Sequence, residues 1–531
     1  MPANSSLYTQ LLKHWKVCIF LIFIYCIYII PSSFFVFKYS DIVSTLQHIY
    51  TAQGMFQGFF INPQIENSII TPSNLVFIFT PAIYYLSNLF TNLSNIFIFT
   101  HFFNIIFVIL FYTLLRKKCS VQLGIIFSLI VIFKSVNTQF FAPDYIVQPL
   151  MVICLLLFID KEKVNLPKLF LIGFLCGLIF IFKQNFGLFF LVAIGTGIFF
   201  RSLLKERKFN LFSNIIVLIY FLFGLYFIFR TNFTLNYIYF LFPYFLFWFF
   251  SFYLINSSFN LNNNQYIKHS LVLLCGFSLL PFLIILNIGF VVGYEKYLFS
   301  IFGMGWDYLP FWEYNIYDMV NHLKFRNNNE IFISLTIIFS VLLPFSINLL
   351  TSSRILFLNK NSDEFLEYLT ISSIGVICIF LLFPFEDFKI ANTKIFIYLF
   401  IFGYFFSYIK FYLKYYLLTS LFVFFIFLQT FYNFSKLSSI FVESDLVNNK
   451  NLQKVLNINF KKKLLSEINL ISKFITTNIN TEDFYLVSSD LKLIPFLFLN
   501  SQRTIQFYQR QDTLFFNKEL SEATKNDLQN M

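Results

Sequence analysis

Apolar stretches of about 15–22 residues recur along the first 433 positions of this chain, and nothing constrains its fold more. A helix needs about 20 residues to cross a hydrocarbon core about 30 Å thick. In lipid, only helices and closed barrels satisfy their own backbone groups, and these stretches lack the strict alternation of barrel strands. Composition points the same way. Hydrophobic residues make up 58% of the chain and charged residues 12%, more apolar surface than a soluble domain can bury. The expected fold class is an all-α polytopic membrane protein of about 13 transmembrane helices with a small C-terminal α/β extracytoplasmic appendage.

The spans are expected near 17–37, 96–115, 121–135, 145–159, 168–182, 186–200, 211–229, 234–255, 271–290, 331–350, 369–384, 394–408 and 415–433. Lys and Arg decide their direction. With a cytoplasmic N-terminus, the inner loops are 116–118, 160–168, 201–208, 256–268, 351–367 and 409–414. Together with the N-terminus they carry 17 of the 38 basic residues, and the longer outer loops with their helix ends carry 9. The net charge of +12 is therefore an orientation signal, and no nucleic-acid partner is expected. The 83 Phe residues accompany abundant Ile, Asn and Lys, which reads as a compositional bias.

The chain divides at about 435. Residues 1–435 form the membrane domain, and residues 436–531 form an outer domain in which apolar runs shorten and Asn, Lys, Glu and Asp rise. In that tail, Phe460–Thr477 has helical periodicity, Phe484–Ser488 reads as a strand and Leu491–Leu499 as a short helix. The outer segment 38–95 is too long for a turn. Within it, Leu75–Phe90 is broken by Pro81 and suits an interfacial or re-entrant helix. The seven Cys show no CxxC or Cys/His spacing, and no metal site is expected from the five His.

Charges beside a membrane that do not serve orientation are functional candidates. Asp41 lies just past the first span, Asp144 at the outer start of the fourth, and Lys183 at the tip of the 168–200 hairpin. All three fall at one outer boundary. A carboxylate there can take a proton from an attacking hydroxyl, and a cation can neutralise a leaving phosphate. Each also has a plainer role. Asp144 after Pro143 can cap its helix, Lys183 can snorkel, and Asp41 can be a loop charge.

The surrounding pattern resembles the GT-C superfamily of membrane glycosyltransferases, in particular the protein O-mannosyltransferases and aminoarabinose transferases. The residues concerned are Asp41, Tyr50-Thr-Ala-Gln-Gly54, Thr80-Pro-Ala-Ile-Tyr-Tyr-Leu86, Phe141-Ala-Pro-Asp144, Gly173-Phe-Leu-Cys-Gly177 with Phe182-Lys-Gln-Asn185, and Phe383-Pro-Phe-Glu-Asp387. The pattern departs from the family where Ile42 follows Asp41 and Ala142 precedes Pro143. The resemblance implies an inverting transfer from a polyprenyl-phosphate sugar to a glycan, lipid or protein acceptor. It implies an active site and C-terminus outside a bacterial inner membrane, with room for a divalent cation. Asp41 is then the base and Asp144 orients it or the acceptor. Lys183, with Gln184 beside it, meets the lipid phosphate, as Asp387 and Lys389 can, while His48 contacts sugar. Trp306 and Trp312 stack on sugar or anchor the interface. A transporter or lipid flippase is the main alternative, with polar residues expected deep inside its spans.

Overall fold

The computed structural model describes residues 14–35, 93–135, 144–159, 165–206, 210–230, 235–292, 344–355, 363–382, 396–405, 446–447 and 460–461. Nearly all of this is helix. The helices are α1 (Trp15–Phe35), α2 (Leu93–Lys118), α3 (Val121–Ser135), α4 (Asp144–Ile159), α5 (Leu166–Phe182), α6 (Gln184–Arg201), α7 (Leu211–Arg230), α8 (Leu235–Ser258), α9 (Asn263–Val292), α10 (344–354), α11 (Asp363–Cys378) and α12 (Phe396–Phe405). Segments Gln184–Arg201, Leu241–Ser258, Asn263–Ile284 and Glu364–Leu381 are each long and apolar enough to cross a bilayer. The outward faces suit lipid. On α7, Leu211, Ile215, Leu218, Ile219, Leu222 and Tyr226 form one exposed stripe at helical spacing. On α9, Leu271, Leu274, Phe282, Leu283 and Leu286 are exposed as well. A water-soluble protein rarely exposes apolar stripes of this length.

Local signals explain the boundaries. Asn165 accepts the Lys168 N–H at 3.0 Å and caps α5, with Pro167 in the first turn. Asn210 Oδ1 accepts the N–H groups of Phe212 and Ser213 and caps α7. Helix α9 starts at Asn263, well before the span expected at 271, because Asn262 caps it and its side chain also bonds that of Gln265. The Gln265 N–H donates to Asn262 Oδ1 at 3.2 Å, and Asn262 Nδ2 donates to Gln265 Oε1 at 3.4 Å.

The tightest pairing is α5 against α9. A Cβ on Gly173 would lie 2.1 Å from the Leu273 carbonyl oxygen, and one on Gly276 would lie 2.3 Å from that of Phe170. Backbones therefore touch, as small residues allow in membranes. Pro281 cannot donate to the carbonyl of Phe277 four residues earlier. That carbonyl rests where a Cβ on Gly177 would stand, at 2.4 Å. Gly173 and Gly177, read from sequence as part of a family motif, thus have a packing reason of their own. The pairing order shows that α5 and α9 run in the same direction, as they must if α6, α7 and α8 each traverse the bundle between them.

One end of the bundle gathers the described parts of the segments expected to be inner loops near 116–118, 165–168, 201–206, 256–268, 351–355 and 363–367. The rings of His14 and Tyr112 meet edge to face. Lys117 Nζ donates to the Leu156 carbonyl at 3.4 Å, Lys118 pairs with Glu367, and Lys118 also lies 5.8 Å from the Tyr404 ring. Arg201 stacks over Phe158 at 4.2 Å, and Arg354 over Phe405 at 5.1 Å. Strand β1 (Leu203–Leu204) pairs antiparallel with β2 (Asn260–Leu261), and the Phe259 and Phe365 rings stack beside it.

In the tail, β3 (Leu446–Val447) pairs antiparallel with β4 (Phe460–Lys461), setting Phe460 opposite Val447. The helix expected from Phe460 therefore does not begin there. Its apolar repeat comes from residues 464–474, and two residues apt for strands, Val447 and Phe460, pair instead. Segment 38–92, with the interfacial helix expected in it, and the remainder of the tail lie outside the described residues.

Candidate functional site

The opposite end of the bundle is built around a one-residue reversal. Helix α5 ends at Phe182 and α6 begins at Gln184, so Lys183 closes one helix and opens the next. Its N–H donates to the Ile179 carbonyl at 2.8 Å, and its own carbonyl accepts the Gly187 N–H at 3.1 Å. An extended backbone at Lys183, φ −154° and ψ 102°, makes the turn. Gly187 permits it, since a Cβ there would lie 2.3 Å from Phe180 Cα. Lys183 Nζ sits 4.8 Å from the Phe186 ring centre, and Asn185 Oδ1 accepts the Phe186 N–H at 3.0 Å. Lys183, Gln184 and Asn185 are all half-buried, so the expected tip residues do occupy the tip.

Asp144 is the first residue of α4. There its charge suits the helix dipole whatever else it does. Its level follows from the packing of α4 on α5. Cys154 Sγ lies 4.0 Å from the Ile172 carbonyl. Asp144 is ten residues before that crossing and Lys183 eleven residues after it. At a rise of about 1.5 Å per residue, both stand about 15–17 Å toward the same end of the antiparallel pair. Asp144 and Lys183 share one level, far from the basic end. Asp41, His48, Asp387 and Lys389 lie outside the described residues, as do Trp306 and Trp312.

A polar group at this depth escaped the sequence reading. The Tyr25 hydroxyl and His101 Nδ1 lie 2.9 Å apart, their rings edge to face at 5.8 Å. The Asn104 side chain is a second hydrogen-bonding neighbour of Tyr25. All three are buried between α1 and α2. His101 and Asn104 are three residues apart and so share a helix face. Two polar residues at that spacing inside an apolar run are the sequence signal of such a pair, and neither carries a fixed charge.

No three His, Cys, Asp or Glu side chains converge on a point among the described residues. No protein-family model matches this chain, and no curated protein aligns with it.

Proposed function

We propose that this chain is an inverting glycosyltransferase of the GT-C type, moving a sugar from a polyprenyl-phosphate donor to an acceptor on the outer face of a bacterial inner membrane. The observation that carries the reading is the shared level of Asp144 and Lys183, at the end of the bundle away from the clustered Arg and Lys. By the charge rule the basic end is cytoplasmic, which puts that level outside.

In this reaction Asp41 takes the proton of an acceptor hydroxyl, whose oxygen then bonds to the anomeric carbon. The bond from that carbon to the phosphate oxygen breaks with inversion, and the electron pair leaves on the lipid phosphate. Lys183 neutralises the charge that develops there, where the low-dielectric boundary strengthens the attraction. Gln184 hydrogen-bonds the same group, and Asp387 and Lys389 complete its surroundings. Asp144 orients Asp41 or the acceptor, and His48 contacts the sugar. A divalent cation would supply further charge neutralisation at the phosphate. The tail is the outer appendage of the same domain pair.

A second reading, a transporter or lipid flippase, is favoured by one observation, the buried His101 inside a span. Proteoliposomes carrying the protein and a radiolabelled polyprenyl-phosphate sugar separate the two. Label leaving the lipid for an added acceptor supports transfer. Label that stays on the lipid while lipid or solute crosses the bilayer supports the second reading and overturns the first.

A further inference from the structure

We propose that Phe186 is a positioning residue for donor binding, whose ring face holds the Lys183 ammonium at the outer boundary where it meets the lipid phosphate. This rests on the glycosyl-transfer reading and adds to it the group that keeps Lys183 in place.

The turn itself places the ring. Lys183 and Phe186 are three residues apart across the start of α6, so their side chains share one face. The Lys183 carbonyl accepts the Gly187 N–H, and Asn185 Oδ1 accepts that of Phe186, which fixes the first turn of α6 from Lys183 onward. Where a Cβ on Gly187 would stand, Phe180 Cα is only 2.3 Å away, and that backbone contact presses the turn against α5. Phe186 is 0% exposed, and its ring belongs to the packed interior. Such a ring cannot follow a lysine that moves, so the lysine must come to it.

Lys183 does come to it. Its Nζ lies 4.8 Å from the ring centre, inside the reach of about 6 Å of a cation–π contact. A snorkelling lysine runs its stem outward and leaves its ammonium in water. Here the ammonium is folded back over an enclosed ring, while Lys183 keeps part of its surface open. Helix dipoles do not account for the charge. Lys183 closes α5, where a cation is favoured, and opens α6, where a cation is opposed, and the two contributions offset each other. A ring face attracts the ammonium without neutralising it, as a carboxylate partner would. A lipid phosphate arriving at this level therefore meets a cation already in place, and less side-chain freedom is lost on binding. The competing role for Phe186 is packing of the core, which needs no ligand.

The test measures binding of polyprenyl phosphate to the full-length protein in detergent. Phe186→Leu should weaken it about three- to tenfold, the worth of one cation–π contact. A ring-trifluorinated phenylalanine introduced at position 186 is the gentler change. It keeps the shape and burial of the ring, while its fluorines draw charge away from the ring face, and it should weaken binding as well. In a Lys183→Ala background neither change should have a further effect, because the ring acts through that ammonium. Equal binding by wild type and the trifluorinated protein overturns the positioning role alone. So does a loss that persists undiminished in Lys183→Ala, which would mark Phe186 as packing. If wild type binds no polyprenyl phosphate, the glycosyl-transfer reading fails and the role of Phe186 fails with it.

Discussion

The two ends of this bundle treat charge differently. At the basic end, cations are held by specific partners: Lys118 by Glu367, Arg201 by Phe158, Arg354 by Phe405, and Lys117 by a backbone carbonyl. Those contacts tie separate helix ends together. At the other end, among the described residues, Lys183 and Asp144 sit at breaks between helical segments. Lys183 fills a one-residue turn, and Asp144 opens a helix. A charge that fastens loops and orients the chain explains its own presence. Lys183 and Asp144 stand instead at helix breaks on one level, Lys183 beside the Phe186 ring. The same chain thus uses cations as anchors at one end, and under the proposed function it offers polar groups to a substrate at the other.

Four tests sharpen or break this contrast. The largest effect belongs to Asp41→Asn, which keeps shape but removes proton acceptance. Turnover of a polyprenyl-phosphate sugar should fall about 10²–10⁴-fold with expression unchanged, and full activity would remove Asp41 from the mechanism. Lys183→Ala should weaken binding of polyprenyl phosphate by about 1.5–3 kcal/mol, the range for a hydrogen bond to a charged group. Titration of detergent-solubilised protein reads this, and unchanged affinity would reduce Lys183 to a turn residue. Gly177→Leu should destabilise by at least about 1–3 kcal/mol, because the added side chain meets the Phe277 carbonyl. Gly195→Ala is its control, since a Cβ there meets only the Tyr220 hydroxyl at 3.7 Å. Similar unfolding curves for the two variants would contradict the α5–α9 contact. The smallest effect is the coupling of Lys118 to Glu367. A double-mutant cycle should give about 0.2–1 kcal/mol, since Glu367 is partly exposed and solvent screens the pair.

Much of the helical layout was legible in apolar run length. Helices α3 and α4 start or end within a residue of the expected spans, because both are written as apolar runs. What run length hides is polar punctuation and distant contact. The start of α9 is set by the Asn262 cap, which lies inside a hydrophilic stretch that hydropathy reads as loop. Gly276 looks like any glycine until Phe170 is seen against it. Of the candidate site, Asp144 and Lys183 stood out as charges beside spans. Tyr25 and His101, 76 positions apart, become a pair only once α1 and α2 are packed, and no local pattern encodes that meeting.

Accessibility at the two ends tests the central claim most directly. Gln184→Cys at the α5–α6 tip and Glu206→Cys beside β1 would be treated in intact cells with a membrane-impermeant thiol reagent, with unmodified protein as the blank. The native Cys119 thiol stays silent, because burial pushes its pKa up to about 12 despite Arg116 and Lys118 nearby. Gln184→Cys should react in intact cells, and added polyprenyl phosphate should slow the reaction. Glu206→Cys should react only after lysis. Labelling of Glu206→Cys in intact cells, with Gln184→Cys reached only after lysis, would put the basic end outside and contradict an outward-facing site at Lys183.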